Sequence, residues 1–204
     1  PPRSTPKPSS AASDVYKRQS LNTYDWIIMK LRKVSQEVFV TDEPIVRLGK
    51  DDLDLLKRQA NRSPRKRARI CAHSTNDDAL HEMIIAMSSD TYIHPHKHKG
   101  KSESFHIIEG EVDVVVFDED GEVKDVVHLG DRDSGRNFFY RLSHPMFHSL
   151  LVRSDYLVMH ETTNGPFDPS QSITAPFAPP EEMREQAMKY LEKLSGDVSR
   201  FIGI

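Results

Sequence analysis

At 204 residues the chain has room for one well-buried domain plus tails. Its 28 basic and 31 acidic side chains leave a formal charge of −3, which argues against a general nucleic-acid binder. The single cysteine, Cys71, excludes an intrachain disulfide and fits a reducing, cytoplasmic setting, and no apolar run approaches the roughly 20 residues that cross a bilayer. A small-molecule ligand is therefore expected as the partner, with no nucleic acid and no membrane.

Residues 1–28 open with PPRSTPKPSSAASDVYKRQ, rich in Pro, Ser and Ala and without apolar periodicity. Such a stretch cannot support a core, lacks the apolar centre of a signal peptide, and reads as a disordered, non-native leader similar to translated adaptor sequence. Met29 then becomes a candidate start. Residues 29–65 read as an extension: a short extended piece, KLRKVSQEVFVTDEP, then a helix near Asp51 to Asn61 with Leu53, Leu55, Leu56 and Ala60 as its apolar stripe. Ser63 and Pro64 stop it.

The basic cluster Arg65, Lys66, Arg67 and Arg69 follows. It reads either as a solvated surface or as the start of a strand, in which Arg67, Arg69, Cys71 and His73 would share one face. Arginines on an inward face would prepare a pocket for a carboxylate or phosphate.

Residues 66–165 carry short strands between turn-formers: Ala79 to Ser88, Tyr92 to His98, Glu103 to Glu109, Val112 to Asp118, Val123 to Leu129, Phe138 to Leu142, Phe147 to Val152 and Tyr156 to Glu161. This predicts an all-β jelly-roll barrel. Residues 166–204 begin with a Pro-rich, irregular stretch and end in a helix from about Pro180 to Leu194. That helix would dock on the barrel through Met183, Ala187, Tyr190, Leu191 and Leu194.

The chemistry concentrates in YIHPHKHKGKSESFHIIEG. If Lys99 to Ser102 form a hairpin loop, His98 pairs with Glu103, and His96, His98 and Glu103 project to one face as ligands for a divalent transition metal. A fourth ligand is expected from the far side of the barrel, with His148 the first candidate and His144 and His160 as alternatives. Tyr92, His94, Lys101 and Tyr140, with Arg67, Arg69 and His73, are the candidate pocket residues around the ion.

The spacing His96, His98, Glu103, Gly110 is that of the first cupin motif. With SPRKRARICAH, HETTNGPF and FAPPEE in order around it, the chain resembles the small WbuC-type cupin metalloproteins, often encoded among polysaccharide or O-antigen genes. The second cupin motif is departed from: Pro145 stands where a glycine is usual and Val152 where an asparagine is. The resemblance implies a double-stranded β-helix holding one metal (iron, manganese, nickel, zinc or copper) through His96, His98, Glu103 and His148, and it allows a homodimer. It supplies no reaction. A metal-dependent isomerase, hydrolase or dioxygenase is one reading, and a non-catalytic metal-containing sugar-binding or nucleotide-sugar-binding module is the alternative.

Overall fold

A computed structural model describes residues 29–203; the expected leader over residues 1–28 lies outside them. The strands are β1 (Arg32–Lys33), β2 (Val38–Val40), β3 (Arg67–Cys71), β4 (Leu80–Ser88), β5 (His96–His98), β6 (Glu103–Glu109), β7 (Glu111–Phe117), β8 (Val123–Gly130), β9 (Phe139–Leu142), β10 (Phe147–Val152), β11 (Tyr156–Asn164) and β12 (Ser172–Thr174). They form a seven-stranded sheet in the order β1-β2-β3-β4-β11-β6-β9 and a five-stranded sheet in the order β12-β5-β10-β7-β8. From β5 onward the chain moves repeatedly between the two sheets, which is the jelly-roll double-stranded β-helix of the cupin fold.

Period-two alternation sends one set of side chains into the barrel. Met83, Ile85, Met87, Phe105, Ile107, Leu157 and Met159 of the larger sheet meet Val112, Val114, Leu129, Leu150 and Val152 of the smaller. Both outer faces are covered by helices. Helix α1 (Lys50–Arg62) lays Leu56 and Ala60 on Ala68, Ile70, Ala86 and Val158, and it begins where the Asp52 carboxylate accepts from the Gly49 amide. Helix α2 (Arg184–Ile202) lays Ala187, Leu191, Leu194 and Val198 on Val115, Phe117, Phe147 and Leu151 of the smaller sheet. No helix of the described residues is long and apolar enough to cross a membrane.

Three local expectations are corrected. The expected hairpin between Tyr92–His98 and Glu103–Glu109 does not form: β5 pairs β10 and β12, whereas β6 pairs β9 and β11, so the loop at Gly100 crosses from one sheet to the other. Gly100 takes a left-handed φ of 72° in that corner. Gly110 makes the return crossing at φ 86°, where an added Cβ would lie 2.1 Å from the Tyr156 carbonyl oxygen. The stretch after Glu161 is not wholly irregular, since β11 runs on to Asn164 and β12 pairs with β5. Helix α2 starts four residues later than Pro180 and runs through Ser195 and Gly196 to Ile202, because Val198 continues the stripe of Leu191 and Leu194 and keeps the last turns docked.

Candidate metal centre

Strand β5 turns His96 and His98 into the barrel and Lys97 outward, where its Nζ meets Glu119. His148 of β10 is the direct cross-strand partner of His96, so the three imidazoles come from adjacent strands of one sheet. Glu103, the first residue of β6, reaches them from the facing sheet. The far-side ligand is thus the glutamate and not His148, the reverse of the hairpin expectation. One donor atom from each of the four lies within 4.8 Å of all the others, and together they could hold a metal ion.

The hydrogen bonds around the rings fix their tautomers. His96 Nδ1 donates to the His94 carbonyl at 2.9 Å, and His148 Nδ1 donates to the Met146 carbonyl at 3.0 Å. Since a carbonyl only accepts, each Nε2 carries a lone pair when its ring is neutral. His98 Nδ1 is held by the Ser172 hydroxyl at 3.0 Å. Anchoring of one ring nitrogen by an outer group is the usual support of a metal-ligating histidine.

The consequence appears at Glu103. Its Oε1 lies 2.7 Å from His148 Nε2 and its Oε2 lies 3.3 Å from His98 Nε2. Yet Glu103 Oε1 and His148 Nε2 are buried with no hydrogen-bond partner. A lone pair facing a carboxylate oxygen at that separation is repulsive unless a cation or a proton lies between them. The donor set of three imidazoles and one carboxylate therefore fits a divalent transition metal.

Titration follows the same geometry. Burial, and then the neighbouring His148, push the His96 pKa down to about 4, which keeps it in the neutral, ligating form. Burial favours neutral Glu103, but contact with His148 and His98 outweighs it and holds the carboxyl below the usual carboxylate range. Burial also opposes the charged form of His148, but contact with Glu103 outweighs it and raises its pKa.

The four line a cavity of about 320 Å³, floored by Ile85, Met87, Phe105, Leu150 and Met159. Of the candidate pocket residues, Arg67, Arg69 and His94 line it. Arg67 and Arg69 are opposite Met87 and Ile85, so the alternation along β3 does turn them toward the barrel interior. The other four stand elsewhere. His73 lies beyond the end of β3 and stacks on His81 with centroids 4.0 Å apart. Tyr92 packs against the α2 side, its hydroxyl donating to the Pro179 carbonyl. Lys101 stands over the Phe167 ring, and Tyr140 is stacked on Phe105 inside the core. The alternative ligands are also remote: His160 points away from the four, toward Glu82, and His144 is exposed.

Three carboxylates that line the cavity, Glu37, Glu161 and Glu181, are not among the residues singled out in the sequence. Glu161 follows Leu157 and Met159 on the inward face of β11, a period-two signal already present in the predicted strand. Burial, and then the charge of Glu103, push its pKa up to about 7. Glu181 belongs to the Pro-rich segment and carries no such periodicity.

Residues 48–129 match a family described as a domain of unknown function (DUF6016), a stretch that holds His96, His98 and Glu103 but ends before His148. No curated protein matches the chain. Among solved structures, similarity extends to oxalate decarboxylase from Bacillus subtilis (16% identity, TM-score 0.39, 48% of this chain and 24% of that one). It also extends to an uncharacterized conserved protein with a double-stranded beta-helix domain from Klebsiella pneumoniae (15%, 0.43, 55% and 82%) and to a Shewanella oneidensis protein (10%, 0.42, 59% and 75%). The chain spans about a quarter of the length of the decarboxylase. Overlaps this partial assign no role to any residue; the strand order and the ligand geometry stand without them.

Proposed function

We propose that the chain binds one divalent transition metal through His96, His98, Glu103 and His148 and acts as a metal-dependent enzyme on a small, polar, anionic molecule. The observation that carries this reading is the convergence of three imidazoles and one carboxylate, their donor atoms all within 4.8 Å of one another, with His148 Nε2 buried 2.7 Å from Glu103 Oε1. Four protein ligands leave room in a six-coordinate shell, so the ion would serve as a Lewis acid toward an oxygen atom in the cavity. The protein side chains do the rest: the apolar floor excludes water, and the arginines at the rim supply positive charge. The link to sugar or polysaccharide metabolism is supported by the WbuC-type resemblance alone.

Metal content of tag-free protein tests the proposal. His98→Ala is expected to lose the metal, whereas Arg65→Ala, whose guanidinium pairs with Glu37 outside the ligand group, retains it. Equal metal content in the two variants overturns the ligand assignment. A ligand that raises the melting temperature of the loaded protein but is always recovered unchanged would favour a binding module over an enzyme.

A further inference from the structure

Three arginines stand at the cavity, and two are already committed. Arg65 pairs with Glu37 and Glu181. Arg67 forks onto Glu181, its Nη2 2.8 Å from Oε2, and also donates to the Tyr92 carbonyl at 3.1 Å. Arg69, an exposed residue opposite Ile85 that lines the same cavity, makes no ion pair among the described residues, although its charge favours the ionised forms of Cys71 and Glu161. The carboxyl of Glu161, inward-facing between Phe105 and Met83, likewise makes no hydrogen bond among them. One unpaired guanidinium and one unbonded carboxyl thus share an apolar-floored chamber with the four-ligand cluster.

We propose that Arg69 and Glu161 select a small hydroxy acid, Arg69 receiving its carboxylate and Glu161 a hydroxyl, with a second oxygen directed to the metal. This deepens, and rests on, the metal reading above. A guanidinium fork matches a planar carboxylate in two parallel hydrogen bonds. Glu161 supplies oxygens suited to a hydroxyl in either protonation state, accepting when ionised and able to donate when neutral. A divalent ion and Arg69, set against Glu103 and an ionised Glu161, still leave one positive charge that a neutral polyol would not balance. Ile85, Met87 and Leu150 would bury the carbon skeleton, and a volume of about 320 Å³ limits it to a few carbons up to the size of a sugar acid.

Titration calorimetry on the zinc-loaded full chain tests this with three probes of equal carbon number: glycerate, glycerol and propionate. Glycerate is expected to bind about tenfold or more tighter than either of the others, the scale of one charge-assisted hydrogen bond. Arg69→Met should bring glycerate down to the affinity of glycerol, Arg69→Lys should fall between, and Glu161→Leu should bring it down to the affinity of propionate. Zinc content and far-UV circular dichroism are measured on each variant to show that the fold and ion are retained. Full zinc content with glycerate bound no better than propionate, or unaffected by Arg69→Met, overturns the hydroxy-acid inference alone. Wild-type protein that retains none of zinc, iron, manganese, nickel or copper overturns the metal reading beneath it.

Discussion

Two buried carboxylates, Glu103 of the larger sheet and Asp113 of the smaller, sit in opposite electrostatic surroundings. Asp113 of β7 is 2% exposed, and each of its oxygens has a cationic or N–H partner: Arg153 Nε donates to Oδ2 at 2.6 Å and His128 Nδ1 approaches Oδ1 at 2.6 Å. Arg153 continues to Ser195 of α2, so this cluster ties the C-terminal helix to the barrel. Glu103 is 4% exposed and faces imidazole lone pairs. Burial of a charge is costly unless it is paired, so the first cluster is complete as protein and the second is complete only with an ion or a proton.

The largest expected effect is at the finished cluster. Asp113→Ala leaves Arg153 without its carboxylate and should cost about 3–5 kcal/mol of unfolding free energy, with or without metal, by denaturant titration. Glu103→Gln should cost less in the metal-free protein, because the amide can still hydrogen-bond the imidazoles, but the rise in melting temperature on adding zinc is lost. If Glu103→Gln were as damaging as Asp113→Ala in the absence of metal, the contrast between the two sites would fail. Gly110→Ala should cost about 1–3 kcal/mol, because the new Cβ would meet the Tyr156 carbonyl at a positive φ; a neutral result would show that the crossing relaxes freely.

The smallest and most specific effect is on pH. Glu161 has its folded pKa raised to about 7 from an ordinary carboxyl value of 4.5, so its favourable contribution is complete below pH 4.5 and fades as pH rises through about 7. Metal-free Glu161→Gln, which has no proton to lose, should therefore gain on wild type between pH 4.5 and 7, by no more than about 3 kcal/mol and less if cavity water reaches the carboxyl. Parallel stability curves for the two proteins across that range would contradict the placement of Glu161.

The comparison also explains what could be read in advance. The spacing of His96, His98 and Glu103 carried the metal chemistry because ligand identity is local, and the alternation of β6 with the short apolar runs of β7 and β10 between turn-formers carried the barrel. The way the ligands converge was not legible. A four-residue turn with glycine looks alike whether it closes a hairpin or carries the chain to a second sheet, and only the pairing of β5 with β10 decides between them. Likewise, alternation placed Arg67 and Arg69 inward, but not the commitment of Arg67 to Glu181, which depends on a residue 114 positions away. Ser172, which holds His98, lies in a three-residue strand too short for any period to register.

The most direct test of the shared ion is the X-ray absorption spectrum of the metal-loaded protein at the metal edge. The account predicts a shell of nitrogen and oxygen at about 2.0–2.2 Å, with the multiple scattering of three imidazoles that falls to two in His148→Ala. A shell without imidazole scattering, or one unchanged by that substitution, would contradict it.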